Sequence, residues 1–325
     1  IKFPIDTSRE YSNDYLIAMI NFIKNNIKPS IEIIRNEFAD NQFLLTAKEV
    51  GYKFQSNGSI YEIELCEFLD SFNIKYEKNV RNIISPLELD IYIPDMNIAI
   101  EFNGSYWHSD LFIEKHYHQV KTKLCNEKNI TLIHIHEYLY KNKSDIYKAI
   151  ILAKLNLNSR VYARKCELRE VPKQEERKFL DQYHLQGFTK SNVCYGLYYN
   201  DELLTVCSFG KSRFDKSFEI ELLRNCTKNN ITVVGGLSRL IKYYKDKHSI
   251  DNILCYSDAS ISLNKNSELT EPNYVWSKNN VFLKRYQTMK HRLPNLLQEK
   301  FDPTLSESEN MKKCGFYRIY DSGNY

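Results

Sequence analysis

The most regular alternation of apolar and polar residues lies in residues 88–108, ELDIYIPDMNIAIEFNGSYWH. Apolar and polar positions alternate in LDIYI, a Pro-Asp turn follows, and IAIEF forms a second short apolar run. Since Pro and Asp favour tight turns, the pattern predicts a hairpin. Each strand carries one carboxylate, Asp90 on the first and Glu101 on the second, and the turn is expected to bring them close together.

The flanking segments predict an α/β unit around this hairpin. YEIELCEFLDSF has helical spacing and IKYEKNV reads as a strand. Downstream, LFIEKHYHQVKTKLCNEKN reads as a largely polar helix, ITLIHIHE as a buried strand, and SDIYKAIILAKLN as a helix capped by Ser144. The predicted order is αβββαβα. Before it, two helices near 13–25 and 30–38 predict an N-terminal helical extension over residues 1–55.

Two carboxylates among apolar neighbours are costly unless something pairs with them. A hard divalent cation held by both acids would relieve their mutual repulsion and stay open to phosphate oxygens. The alternative is that Asp90 and Glu101 lie on solvated strand faces, as most acidic residues do.

Residues 59–140 resemble the very-short-patch repair branch of the PD-(D/E)XK nuclease superfamily, especially its phage-borne homing endonuclease relatives. The matching positions are the helix glutamate Glu62, the metal-binding aspartate Asp90, Pro94 four residues later, Glu101-Phe102-Asn103 at the (D/E)XK position, and His108 in the GSYWH run. The resemblance implies a Mg²⁺-dependent (or Mn²⁺-dependent) endonuclease acting on double-stranded DNA, with Asp90 and Glu101 as metal ligands and Glu62 beside them.

This chain departs from the family at the superfamily lysine, which is Asn103 here. His108 is the expected proton carrier, since a histidine near neutral pKa can act as acid or base. Lys121 on the following helix is a candidate for the missing positive charge. Packed or surface roles remain open for both, and His116 and His118 are expected at the surface. The repair enzymes' zinc ligands are not reproduced, so no zinc is expected.

The second half begins with a hairpin, NVCYGLYYNDELLTVCSFG, followed by strand FEIELLRNC, the strand-to-helix run ITVVGGLSRLIKYYKDK and a buried strand NILCYSD. It resembles the C-terminal domain of phage homing-type endonucleases and, in element order, the GNAT acyltransferase fold and the phage protein Mom. The positions where a Mom-like site would lie are Arg224, Gly235, Gly236, Ser238 and Asp258. Paired glycines at a helix start bind phosphates or simply make a tight connection.

Valines precede those glycines in place of the usual acetyl-CoA loop, so a role in DNA recognition is favoured and no acetyl-CoA is expected. The alternatives are a Mom-like base-modifying transferase and a catalytically inactive DNA-binding protein. The predicted fold is therefore α/β, with a PD-(D/E)XK (restriction-endonuclease-like) core in αβββαβ order over residues 56–158. A C-terminal α+β GNAT-like domain over residues 159–325 and the small N-terminal helical segment complete it.

Charge is unevenly divided along the chain. Residues 1–159 carry 18 Lys+Arg and 21 Asp+Glu, a net of −3, whereas residues 160–325 carry 27 and 20, a net of +7. Contacts to phosphates supply most of the sequence-independent affinity for DNA, so the basic half of the chain is expected to bind DNA. Its densest basic stretch is FLKRYQTMKHRL, with Lys284, Arg285, Lys290 and Arg292. An ordinary solvated surface is the alternative.

Composition adds looser bounds. The chain is 42% hydrophobic and 26% charged, no run reaches membrane-spanning length, and no signal-peptide pattern opens it. The eight cysteines are scattered without a CxxC pair, so free and mostly buried thiols are expected. Together with the resemblance, these features predict a cytoplasmic protein of a bacterial host, encoded by a phage.

Overall fold

The computed structural model describes residues 60–262 and 268–325, which form a mixed α/β fold. Helix α1, Ile60–Ser71, belongs to one compact unit, and Lys75–Tyr325 make up the other. The predicted N-terminal helical extension, residues 1–55, lies outside the described residues. No helix in the described ranges is long and apolar enough to cross a membrane.

A four-stranded sheet opens the larger unit. Its strands are β1 (Glu77–Val80), β2 (Leu89–Ile93), β3 (Ile98–Asn103) and β4 (Thr131–His136), paired in that order. The first two pairings are antiparallel, and β3 pairs with β4 in parallel. Helix α2 (Tyr117–Glu127) connects β3 to β4, and α3 (Glu137–Lys154) follows. The predicted element order is confirmed, with the Pro-Asp turn present as a short 3₁₀ helix, Pro94–Met96.

The two faces of this sheet differ in chemistry because neighbouring side chains of a strand point to opposite sides. Ile100 and Phe102 face α3, where the Tyr140 ring meets Phe102 edge-on at 5.7 Å. Glu101 and its β4 partner His134 face α2 instead. The sheet therefore has an apolar side under α3, whereas the side under α2 combines the polar residues with an apolar group that includes Ala99, Leu132 and Cys125.

Helix α3 begins earlier than expected. The predicted Ser144 cap is wrong as a starting point, because the helix begins at Glu137, directly after β4. The packing of Tyr140 on the sheet explains why helical turns form before Ser144. The backbone leaves helical geometry at Lys143 (φ −139°, ψ 28°), immediately before the residue expected as the cap.

A second, five-stranded sheet follows. The elements of this region are β5 Ser159–Tyr162, β6 Glu167–Glu170, α4 Lys173–Tyr183, β7 Val193–Tyr199, β8 Glu202–Lys211, β9 Ile220–Thr227, β10 Ile231–Val234, α5 Gly236–His248 and β11 Leu254–Cys255. The spatial order of the sheet is β11-β9-β8-β7-β6, and α4 and α5 pack on its two faces. A short parallel pair, β5 with β10, lies outside this sheet.

The hairpin predicted in this region is confirmed. β7 and β8 are joined by Asn200 and Asp201, whose φ angles of 50° and 61° are those of the two-residue turn that matches strand twist. The expected buried strand NILCYSD is mostly wrong, because β11 has two residues and Cys255 is exposed. All eight cysteines are free and seven are buried, as expected.

The last part of the chain contacts the loop after β3, α2 and α3. Its elements are β12 Tyr274–Lys278, β13 Val281–Lys284, α6 Leu293–Leu297, α7 Glu307–Lys313 and β14 Tyr317–Tyr320, with β12 central in a three-stranded sheet. The Asp110 amide donates to Arg318 O (2.8 Å), and the Arg318 amide donates to Asp110 Oδ1 (2.8 Å). Residues on both sides of the predicted 158/159 boundary thus belong to one compact unit.

The segment 321–325 lies along α2. Gln119 Nε2 donates to Thr270 O (2.7 Å) and Ser322 O (3.3 Å), and Asn126 Nδ2 donates to the Tyr325 hydroxyl (2.8 Å). Gly323 has a φ of 77°, and a Cβ there would lie 2.6 Å from Thr270 O. These contacts hold in place the helix that also carries Lys121.

Candidate active site

The β2–β3 pairing brings Asp90 and Glu101 together. Ile91 pairs with Ile100, so the next positions along the two strands are Asp90 and Glu101, on the face covered by α2. Asp90 Oδ2 accepts a hydrogen bond from the Phe102 amide (2.8 Å). This bond holds the Asp90 carboxylate against the strand that carries Glu101, so the expected meeting of the two acids is present in the structure.

Lys121 completes this group from α2. Its Nζ forms an ion pair with Glu101 Oε1, and both residues are only 2% exposed. The other oxygen, Glu101 Oε2, is buried and has no hydrogen-bond partner within residues 60–262 and 268–325. A buried carboxylate oxygen without a partner is uncommon and calls for an explanation such as an ion or water. The structure therefore brings Asp90, Glu101 and Lys121 into one polar cluster, in which Glu101 and Lys121 are buried and Asp90 is half-buried.

The charges in this cluster are strongly coupled. Burial raises the pKa of Glu101 to about 8, and the neighbouring Asp90 charge adds to this effect, while Lys121 opposes it. Burial also disfavours the charged form of Lys121, but Glu101 and Asp90 outweigh it and raise the lysine pKa. The pKa of Glu101 therefore stays raised even though the Lys121 ammonium lies against its carboxyl group.

A cluster of histidines lies beside these residues. The His118 ring stacks on His108 (centroids 5.3 Å apart, planes 13° apart) and meets His134 and His136 edge-on at 5.2 and 5.5 Å. His118, His134 and His136 are buried. Both ring nitrogens of His118 and of His136 lack a hydrogen-bond partner in the described part of the chain. The expectation that His118 is a surface residue is wrong, whereas His116 is exposed as predicted.

His108 and Asn103, both expected at the site, lie within this neighbourhood. Burial lowers the pKa of His108 to about 3, with the Lys121 and His136 charges acting in the same direction. His108 is therefore a neutral imidazole at physiological pH. The Asn103 side chain is buried, and its Nδ2 lies 3.3 Å from His134 Nδ1, while Thr122 Oγ1 lies 2.8 Å from His134 Nε2.

Tyr117, His118, Thr122, His134 and His136 were not predicted as site residues. The buried positions of α2 are His118, Lys121, Thr122 and Cys125, a complete helical stripe at spacings of three and four residues. The stripe is inconspicuous in the sequence because its members are polar. Tyr117 is half-buried, and its pKa is raised by burial and by Glu101 and Asp90, against the effect of Lys121.

Glu62 lies in the first turn of α1 and thus in the other compact unit. Its predicted role beside Asp90 stays a prediction.

The predicted basic segment is exposed. Lys284 ends β13, and Arg285, Lys290 and Arg292 follow with their side chains accessible to solvent. A groove of about 600 Å³ is lined by Arg285, Met289, Lys290, His291 and Glu307. At the start of the segment, the Phe282 ring stacks on Tyr138 (5.3 Å), which itself contacts His136. The basic segment is therefore anchored next to the histidine cluster.

The residues expected for a Mom-like site are not joined to one another. Arg224 Nε donates to Gly187 O (3.1 Å), Asp258 Oδ1 accepts from the Ser260 amide (2.9 Å), and Ser238 is exposed on α5. No hydrogen bond or ion pair within the described ranges links any two of the three. The glycine turn is formed as predicted, with Gly235 at φ 77° and α5 starting at Gly236.

Residues 60–262 and 268–325 contain no group of three or more His, Cys, Asp or Glu side chains arranged to hold a metal ion. The two-carboxylate arrangement of Asp90 and Glu101 is a smaller set. Mg²⁺ often binds through one or two carboxylates and completes its shell with water and phosphate oxygens. The unpartnered Glu101 Oε2 and the nearby Asp90 carboxylate therefore fit such a cation, while a site made of protein ligands alone is not formed.

Comparison with known proteins gives no relative. No protein-family model matches this chain, and searches of curated proteins and of solved structures gave no significant match.

Proposed function

We propose that this chain is a metal-dependent DNA endonuclease of homing type that hydrolyses phosphodiester bonds in double-stranded DNA. The observation that supports the proposal best is the cluster of Asp90, Glu101 and Lys121, with both carboxylates on one sheet face and the ammonium against Glu101. Two acids that can hold a divalent cation, with an ammonium beside them, suit metal-assisted hydrolysis.

Asp90 and Glu101 are the residues that would hold a divalent cation, Mg²⁺ or Mn²⁺. Bound there, the cation would polarise the scissile phosphate and lower the pKa of an attacking water. Burial and the neighbouring Asp90 charge raise the pKa of Glu101 despite Lys121, and a bound cation would favour the charged form of both carboxylates.

Lys121 supplies a positive charge close to both carboxylates, in place of the superfamily lysine that this chain lacks at Asn103. In our proposal it orients the attacking water and stabilises charge on the phosphate, since a buried ammonium acts strongly in a site with little water. The neutral His108 imidazole, a few residues beyond β3, is our proposed acceptor of that water's proton, although burial makes it a weaker base than the near-neutral histidine expected from the sequence.

The accessible surface near the site suits DNA. Lys284, Arg285, Lys290 and Arg292 are exposed on one segment that begins beside Tyr138. Trp107 and Phe112, on the loop after β3, are about half-exposed and contact each other (5.0 Å). Cations for phosphates together with aromatic rings for bases are the usual combination in nucleic-acid grooves.

We place the chain in the very-short-patch-repair-like branch of the PD-(D/E)XK superfamily, with a GNAT-like C-terminal region in an accessory role. The αβββαβ order and the positions of Asp90 and Glu101 on the second and third strands support this placement. A phage origin and a cytoplasmic site of action follow from the same proposal.

A cleavage assay tests the function. The purified chain should cut source-genome or phage DNA when Mg²⁺ is present and should leave it intact in EDTA. A protein that binds DNA without ever cutting it would support the inactive DNA-binding alternative. Nucleosides recovered from treated DNA should keep their masses, with or without acetyl-CoA. A mass increase that is lost in Arg224→Ala or Asp258→Ala would support the Mom-like transferase alternative.

A further inference from the structure

Three cationic side chains surround one short loop, residues 184–188, between α4 and β7. Lys143 Nζ donates to His184 O (2.7 Å), and Arg224 Nε donates to Gly187 O (3.1 Å). The Arg177 guanidinium lies over the Phe188 ring, 4.1 Å from its centroid. Each of three elements that are distant in sequence, α3, α4 and β9, thus places one cationic side chain against the same loop.

None of these three cations forms an ion pair in the described part of the chain. Arg224 is bound by two backbone carbonyls, Gly187 O and Leu223 O, and Lys143 by His184 O. The carboxylate nearest to the loop, Asp181, accepts a hydrogen bond from the Phe188 amide (2.9 Å). Carbonyl oxygens orient a cation without neutralising it, so the cluster keeps its net positive charge.

Burial and nearby charges shift the pKa values of the groups around this loop. Burial lowers the pKa of Arg224 to about 10, with Arg213 adding to the effect. Burial also lowers the pKa of Lys143; the Asp181 charge opposes this shift, and Lys284 adds to it. His184 is kept neutral, its pKa lowered to about 3 by burial and then by Arg224 and Lys143. Three cations and one carboxylate, Asp181, at the same loop leave an excess of positive charge, which favours the binding of anions.

The cluster is continuous with the basic segment. Lys284, at the end of β13, is close enough to Lys143 to affect its pKa, and the preceding strand residue Phe282 stacks on Tyr138 of α3. A line of positive charge therefore runs from the Lys284–Arg292 segment through Lys143 to Arg224. Its length and its excess of positive charge over the one carboxylate at the loop, Asp181, fit a ligand with repeated negative charges better than a single small anion.

We infer that Lys143, Arg177 and Arg224 form a second phosphate-contacting site, which binds the backbone of the same DNA that the Lys284–Arg292 segment holds. The identity of the polyanion rests on the proposed function, whereas the existence of an anion site rests on the loop geometry. Arg224 then acts as a phosphate contact rather than as part of a transferase site.

The salt dependence of DNA binding tests the inference. Affinity for a short fluorescent duplex would be measured by anisotropy in EDTA at several salt concentrations, with the full chain. Each lost phosphate contact should reduce the slope of log affinity against log salt by about 0.9. Arg177→Gln and Arg224→Gln should each show this reduction, and the double variant should show about twice as much. When salt is increased from 50 to 200 mM, the factor by which affinity falls should be about 3.5 times smaller for each single variant than for the parent chain.

Lys242→Gln is the matched control, because Lys242 is an exposed cation on α5, outside the proposed line. Arg224→Lys, which keeps the charge, should retain the parent slope and guards against a folding defect in Arg224→Gln. Slopes of the double variant equal to those of Lys242→Gln would overturn the inference. Calorimetric binding of inorganic phosphate that disappears in Arg224→Gln, with unchanged DNA slopes, would equally overturn the DNA assignment in favour of a small ligand.

The binding measurement separates this inference from the nuclease proposal. Since EDTA removes divalent cations, a chain that never cuts DNA can still show the altered slopes, and the inference then stands alone. A chain that cuts DNA in Mg²⁺ but shows unaltered slopes refutes the inference and leaves the nuclease proposal intact.

Discussion

The buried carboxyl of Glu101 should make the metal-free protein less stable as the pH rises. Its pKa is about 8 in the folded chain and 4.5 in an ordinary setting. Between these values the folded state holds a proton that the unfolded state has lost, so the free energy of unfolding falls by about 1.4 kcal/mol per pH unit. Between pH 4.5 and pH 8 the free energy of unfolding falls by about 5 kcal/mol in total, and above pH 8 Glu101 causes no further loss.

Glu101→Gln removes this titration. In EDTA, urea unfolding at pH 5, 6, 7 and 8 should show that the parent chain loses stability relative to the variant as the pH increases. Other titrating groups, such as His136, whose pKa burial lowers to about 4, are common to both proteins and cancel in the difference. Lys121 loses one partner in the variant but keeps the nearby Asp90, so the comparison concerns the slope and not the absolute stability.

Glu114→Gln is the control, because Glu114 is exposed on the loop before α2. Its unfolding free energy should follow that of the parent chain at every pH. Parallel curves for the parent and Glu101→Gln would refute the reasoning, since they would mean that Glu101 titrates normally in the folded protein.

Four further outcomes are expected. His108→Ala should lower the cleavage rate by roughly 10²–10⁴-fold. In the parent chain, the loss of activity that comes from protonation of His108 should occur near pH 3, since the pKa of His108 is about 3. A loss of activity near pH 6.5 that is absent in the variant would contradict the burial of the ring. Lys121→Met should reduce single-turnover cleavage more than Lys121→Arg does, because only arginine keeps a charge beside Glu101; equal rates in both variants would remove Lys121 from the chemistry. DNA binding should depend less on salt when Lys284, Arg285, Lys290 or Arg292 is replaced by Gln. Each variant should lower the slope of log affinity against log salt concentration by about 0.9 where the side chain contacts a phosphate. Four unchanged slopes would remove this segment from the interface. Gly323→Ala should destabilise the fold by about 1–3 kcal/mol in thermal or urea unfolding. The reason is that Gly323 has a φ of 77° and that an added Cβ would lie 2.6 Å from Thr270 O. Wild-type stability would show that segment 321–325 is not held against α2.

The strands and the two acids could be predicted from sequence because their signals are local. The alternation in LDIYI and the Pro-Asp turn predict a hairpin, and the hairpin register places Asp90 next to Glu101. In the second half, the Asn200-Asp201 turn is likewise determined by two neighbouring residues that tolerate positive φ.

The partner of Glu101 could not be predicted with the same certainty, because it depends on how α2 packs. His118, Lys121, Thr122 and Cys125 are polar or small, so the buried side of that helix has no hydrophobic stripe to reveal it. The helix is oriented instead by distant groups, including Thr270 and Tyr325. A contact separated by so many residues leaves no periodic signal in the sequence.

The cluster around residues 184–188 was invisible for the same reason. Lys143, Arg177 and Arg224 belong to three separate segments of unremarkable composition, and only the fold brings them to one loop. The backbone is kinked at Lys143, one residue before Ser144, where the helix was expected to start. This kink contributes to the direction of the Lys143 side chain.

The proposal that Asp90 and Glu101 perform metal-dependent hydrolysis is tested most directly by single-turnover cleavage at saturating DNA in Mg²⁺. Asp90→Asn and Glu101→Gln should cut at least about 10³-fold more slowly than the parent chain, because each loses a ligand to the activating cation. Asp95→Asn, which changes an exposed acid in the turn between the same two strands, should cut at the parent rate. Parent-like cutting by both Asp90→Asn and Glu101→Gln would contradict the proposed site.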